Sequence, residues 1–190
     1  FLLEGYIFPD TYEFYLESDA RSVVDKFIEN YNSKITDEMK QRAKTLGYTM
    51  DQMITLASVI QKECDADIDE CANVSSVFHN RLKDPASFPR LESDVTTFYI
   101  SQNLKDVIGY QDGVALENQN GEVKKYMELY STYYRSGLPV GPICNPGLKA
   151  INAALHPADT NYVFFLTDES GEHFYYASTI AEHNANGVKA

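Results

Sequence analysis

The sequence predicts an α+β fold, with helices mainly in the first half and a small antiparallel sheet, a hairpin, near the C-terminus. Three observations predict it. Apolar residues recur at helical spacing in several runs before residue 83. Two stretches, Thr49-Met50-Asp51-Gln52 and Thr179-Ile180-Ala181-Glu182, carry the Thr-x-x-Gln/Glu signature of a helix start. Residues 162–166 and 173–177 are aromatic-rich runs on either side of a turn at 168–171, the form of a hairpin. Helices and strands segregated along the chain point to α+β rather than an alternating α/β sheet. With 190 residues, 44% of them hydrophobic, the chain can bury the core of a single domain over 1–190.

Taken in order, residues 3–14 mix aromatics with Gly5 and Pro9 and read as extended chain or loop, with a turn at Asp10-Thr11-Tyr12. Val23, Val24, Phe27, Ile28 and Tyr31 predict a helix over about 20–31, capped by Ser18 or Asp19. A short helix runs from Thr36 to about Thr45 and stops at Gly47. The first capping box opens a helix over 53–64. The acidic stretch 65–70 is a connection or a helix start. Another helix covers 71–82, with Val74, Val77, Phe78 and Leu82 inward, and ends at Asp84-Pro85. Residues 91–99 show no clear period. The polar stretch 101–128, with turns at Asp112-Gly113 and Asn120-Gly121, reads as a solvated excursion. A Gly- and Pro-rich loop over 137–147 leads through Pro146-Gly147 into a helix to Leu155. Residues 162–166 form a buried strand, and the second capping box opens a last helix that the end of the chain cuts short. There are no internal repeats.

Composition excludes some partners. With 16 Lys and Arg against 28 Asp and Glu, the net charge is −12, which repels nucleic-acid phosphates and offers no basic cluster to anionic lipid. Fourteen Tyr and ten Phe without Trp suit a carbohydrate surface, or simply fill half-buried positions. No stretch has the roughly 20 apolar residues of a membrane helix. The abrupt opening Phe1-Leu2-Leu3-Glu4-Gly5 suggests a piece of a longer protein. Cys64, Cys71 and Cys144 lack metal-ligand spacing, so neither a metal nor another cofactor is expected. Their odd number argues against a disulfide framework, although Cys64 and Cys71 can pair if the chain turns through Asp65-Ala66-Asp67. Of the His, His156 before Pro157 and His173 in a strand read as structural.

Glu63 is the candidate for chemistry. On a helical wheel it follows Ile60 by three, Val59 by four and Leu56 by seven, so it falls within the apolar arc. A carboxylate there is costly as an ion, and its pKa rises toward the range of a general acid. Two alternatives stand beside this: solvation of a helix end, or a buried pair with Arg81.

Several motifs, in order over nearly the whole chain, carry a resemblance. They are Leu3-Glu4-Gly5 with Pro9-Asp10-Thr11-Tyr12; Leu56-Ala57-Ser58-Val59-Ile60-Gln61-Lys62-Glu63; Val74-Ser75-Ser76-Val77-Phe78 with Asn80-Arg81-Leu82; Leu91-Glu92-Ser93-Asp94; Tyr130-Ser131-Thr132-Tyr133; and Gly137-Leu138-Pro139-Val140-Gly141-Pro142-Ile143 with Asn145-Pro146-Gly147. Together they resemble the MltG (YceG-like) family of endolytic murein transglycosylases. The resemblance implies a single-pass bacterial membrane protein whose outer domain cuts nascent peptidoglycan strands between N-acetylmuramic acid and N-acetylglucosamine. It puts the family's catalytic Glu at Glu63. Gln61 stands where the family often has another Glu, and Cys64, Ser131, Val140 and Cys144 also depart from the usual residues.

The implied mechanism uses one carboxyl group. Protonated Glu63 donates to the glycosidic oxygen, then accepts the proton of the muramic sugar's C6 hydroxyl as that oxygen attacks C1, leaving a 1,6-anhydro end. Candidate substrate-binding residues are Asn80, Arg81, Asp94, Tyr130, Tyr133 and Asn145. Asp94 is alternatively a second carboxylate or a helix cap, and Arg81 alternatively pairs with an Asp. Two rivals remain: a hydrolase using Glu63 with Asp94, and a non-catalytic glycan-binding scaffold among cell-wall synthesis proteins.

Overall fold

The computed structural model describes residues 3–171 and 173–189; Phe1 and Leu2 of the opening lie outside the described residues. The first half is helical. Helices α1 (Ala20–Lys34), α2 (Asp37–Thr45), α3 (Met50–Glu63) and α4 (Ile68–Lys83) follow an irregular N-terminal segment. Asp19, Thr36, Thr49 and Asp67 cap them in turn, each accepting the backbone N–H three residues on, and at Thr49 the Gln52 side chain completes the capping box. Next come α5 (Asp94–Phe98), a π-helical turn (Tyr99–Asn103), α6 (Lys105–Ile108), a 3-10 turn (Leu116–Asn118), α7 (Gly121–Tyr130) and α8 (Leu148–Leu155). Strands β1 (Phe164–Thr167) and β2 (Phe174–Ala177) form the antiparallel hairpin, with Phe164 opposite Ala177, and α9 (Ile180–Asn186) closes the fold.

Helix α3 is the central element. Residues 53–60 are all buried, so it is enclosed on every side rather than along one stripe. It packs chiefly against α8, which also holds α4. Ile54, Leu56, Ile60, Phe78, Ile151 and Leu155 fill the space between these helices.

Four sequence expectations change. The stretch 101–128 is not a solvated excursion: Leu104, Ile108, Val123 and Met127 are core residues, and exposed polar side chains lie between them. The elements of three to five residues before α7 show too little period to be read from sequence, and α7 itself buries only Val123 and Met127. Residues 91–99 hold α5. Helix α4 begins at Ile68 and not at Cys71, with Asp67 as its cap, so of the two readings of 65–70 the helix start is the one observed. The strand over 162–166 is shifted to Phe164–Thr167 and is half-buried rather than buried.

The chain does turn between Cys64 and Cys71, which form a disulfide with Cα atoms 5.6 Å apart. It ties the residue after Glu63 to the first turns of α4. Cys144 remains a free, half-buried thiol pushed up to about 11 by burial. No helix among the described residues is long and apolar enough to cross a membrane.

Candidate active site

Glu63 is the last residue of α3, where the helix runs out of the core into an open cavity of about 550 Å³. Cys64 leaves the helical conformation at φ −135°, and its half-cystine is pinned to α4, so the carboxyl group is held at a fixed exit point. Ser93 Oγ donates to Glu63 Oε1 at 2.5 Å. Burial pushes the Glu63 carboxyl above the usual carboxylate range; the Ser93 hydrogen bond opposes this, and the negative charge of Asp94 adds to it.

Ser93 precedes α5 at the position of an N-cap, yet its side chain caps nothing and reaches Glu63 instead. Its backbone is held by a buried hydroxyl network. Ser93 N–H donates to Thr132 Oγ1 at 2.9 Å, Thr96 Oγ1 donates to the Ser93 carbonyl at 2.6 Å, and Thr132 N–H donates to Thr96 Oγ1 at 3.0 Å. Ser131, a departure from the family pattern, lies 2.8 Å from Thr97 Oγ1 through its own hydroxyl. The preceding residue, Glu92, has φ +54°, a left-handed conformation that a side-chain-bearing residue adopts only under constraint.

The other cavity-lining groups of interest are Arg81, Glu92, Asp94, Tyr133, His183 and the whole of β1. Tyr133 OH donates to Asp94 Oδ1 at 2.8 Å; burial and this bond to a carboxylate push the phenol up to about 12. Asp94 starts α5 in the exposed rim, beside Glu63 in the same cavity. Arg81 is 8% exposed and does not pair with Glu63 or an Asp. Its Nε donates to the Val163 carbonyl at 2.6 Å and its Nη1 to the Leu91 carbonyl at 2.8 Å, with Glu92 at 3.5 Å. The guanidinium lies between the Phe88 and Phe164 rings. It joins α4, the segment before α5 and the start of β1, so it builds the cavity wall.

The remaining candidates lie away from this cavity. Asn80 Nδ2 spans the Thr160 and Tyr162 carbonyls, both at 2.9 Å. Tyr130 packs its ring among Tyr99 and Tyr126. Asn145 Oδ1 accepts the Gly5 and Ile7 N–H groups at 2.8 and 3.1 Å, fastening the N-terminal segment to the 137–147 loop. Gln61 Oε1 accepts Gly147 N–H at 3.1 Å, so this side chain is committed to the same loop. Gly5 is required there: at φ +87°, a Cβ would lie 2.3 Å from Pro142 Cγ.

Sequence reasoning missed Ser93 and Glu92, although both stand in the quoted Leu91-Glu92-Ser93-Asp94 motif. The signal available was a hydroxyl at a helix start, which reads by default as a cap. Among the described residues, no group of His, Cys, Asp and Glu is arranged to hold a metal ion. The cavity offers the Glu63 carboxyl group, its pKa raised by burial, two further carboxylates in Glu92 and Asp94, and aromatic walls.

Known proteins resemble the chain over nearly its whole length. The chain is 34% identical to an endolytic murein transglycosylase of Bacillus subtilis over 96% of its own length and 46% of that protein. It is 26% identical to one of Streptococcus pneumoniae over 97% of its length and 31% of that protein. It thus spans half or less of these relatives. The crystal structure of a YceG-like protein from Listeria monocytogenes superposes with a TM-score of 0.73 at 28% identity, covering 96% of this chain and 54% of that one. The model of the YceG-like family matches residues 2–189, and the chain belongs to that family.

Proposed function

We propose that this domain is an endolytic lytic transglycosylase of peptidoglycan, acting outside the cytoplasmic membrane as part of a longer, membrane-anchored protein. The observation that carries the reading is Glu63: a helix-terminal carboxyl group with a raised pKa, hydrogen-bonded by Ser93 and facing a cavity large enough for a sugar. The names of the relatives point to the same substrate.

In this reading protonated Glu63 gives its proton to the glycosidic oxygen as the bond to C1 of the muramic sugar breaks. The sugar takes on oxocarbenium character, which the negative charge of Asp94 stabilises. Glu63, now a carboxylate held by Ser93, takes the proton from the C6 hydroxyl as its oxygen bonds to C1. The nucleophile belongs to the same sugar, so it outcompetes solvent. No water is consumed and the new end is a 1,6-anhydro sugar. Digestion of uncrosslinked strands in heavy-oxygen water tests this. The reading requires new ends that contain no heavy oxygen; ends carrying one atom of it would make the domain a hydrolase, with Asp94 as the second carboxylate.

A further inference from the structure

The cavity that holds Glu63 is lined by Phe164, Phe165, Leu166 and Thr167 in succession. Side chains on a strand alternate between faces, so one cavity reaches four consecutive residues only along the strand's edge. Strand β1 pairs with β2 alone among the described residues, which leaves one edge without a neighbour.

The hydrogen bonds fix which groups face that edge. The His173 carbonyl turns toward β1 and accepts the Asp168 N–H in register, whereas Val163, just ahead of the strand, donates to the Ala177 carbonyl one residue out of register. The Tyr176 carbonyl turns away and accepts from Asn186 Nδ2 at 3.0 Å. Backbone groups alternate in an antiparallel ladder. In the observed register, Phe164 and Leu166 therefore bond to β2, while the N–H and C=O of Phe165 and Thr167 point outward. Arg81, another lining residue, takes the Val163 carbonyl from this outer side.

We infer that the free edge of β1 binds the stem peptide of the glycan strand as an added antiparallel or parallel strand. This rests on the reading of Glu63 as the residue that acts on a muramic sugar, because that sugar carries the peptide. A peptide leaving a sugar seated at Glu63 enters the same cavity. The outward groups of Phe165 and Thr167 repeat at roughly 6.7 Å along the edge. Main-chain bonds give such binding affinity with little demand on peptide side chains.

The test uses the Glu63→Gln protein, so that binding is read without turnover. Its affinity is measured for uncrosslinked strands with stem peptides intact and for the same strands stripped of peptides by an amidase. The expected result is binding at least about fivefold weaker after stripping, the worth of one or more main-chain hydrogen bonds. Adding Thr167→Pro removes one outward N–H and no bond to β2. It is expected to weaken binding of intact strands about fivefold more than it weakens binding of stripped strands, and equal weakening of both overturns the proposal. Amide hydrogen exchange at Phe165 and Thr167, slowed by intact strands and not by stripped ones, reads the same contact without altering the strand. Equal affinity for both kinds of strand, or equal protection by both, overturns the proposal and assigns the edge to the sugar itself. If the wild-type protein cleaves nothing while these differences hold, the peptide site stands and the reaction assigned to Glu63 falls.

Discussion

Ser93 Oγ donates a 2.5 Å hydrogen bond to Glu63 Oε1, across a gap of thirty residues in sequence. The bond favours the carboxylate and opposes the effect of burial. Ser93→Ala should therefore raise the Glu63 pKa further, so the protonated acid persists to higher pH and the alkaline limb of the rate profile moves up. Lost orientation should lower kcat by roughly tenfold. A pH profile of cleavage checks both; a limb that moves down would remove Ser93 from this role.

Asp94 acts on Glu63 with the opposite sign. Its charge raises the Glu63 pKa, so Asp94→Asn should move the alkaline limb down. The new ends should still be anhydro sugars, made more slowly. The same pH series, with mass analysis of the ends, checks this. Loss of all cleavage would instead suit a two-carboxylate hydrolase.

Glu63 also carries a cost in stability. Its folded pKa lies above its unfolded one, so the folded state binds the proton more tightly. Any stability this gives is present at low pH and is lost as pH rises through the folded value. Glu63→Gln should thus raise Tm by a few degrees at pH 7, with the advantage shrinking toward acid pH. Thermal unfolding at pH 4 and pH 7 reads the difference.

The disulfide closes a short loop next to Glu63. Loop-closure entropy for its seven-residue separation is worth about 2.5 kcal/mol, so Cys71→Ser should destabilise by about that much. Chemical denaturation with and without reductant checks it: the wild type should fall to the variant's stability, and the variant should not respond.

At Gly5 two effects add, the left-handed backbone and the contact with Pro142. Gly5→Ala should cost about 1–3 kcal/mol and loosen the N-terminal segment from the 137–147 loop. Denaturation midpoints measure this, and faster amide exchange at Ile7 would locate it.

Much of the helical frame was legible because its signals are local. The Thr49 and Thr179 capping boxes, the α3 apolar run and the hairpin turn each lie within a dozen residues. The half-buried position of Glu63 was legible for the same reason, since the wheel sets it beside Val59 and Ile60. What escaped were tertiary relationships. Ser93 looks like a helix cap until α5 is seen to start without one. Arg81 resembles a ligand-binding residue until Val163, Leu91 and Glu92 are seen to occupy it. Asn80, Tyr130 and Asn145 have the chemistry to hold a sugar, but long-range contacts commit them elsewhere. The stretch 101–128 was read as solvated because its core residues Ile108, Val123 and Met127 are spaced widely among exposed ones.

The most direct test of the central claim is mass spectrometry of uncrosslinked peptidoglycan strands incubated with this domain and with its Glu63→Gln variant. Internal cuts ending in 1,6-anhydro muramic residues with the first protein, and none with the second, are the result predicted here. Equal amounts of such ends from both proteins would contradict the assignment of the chemistry to Glu63.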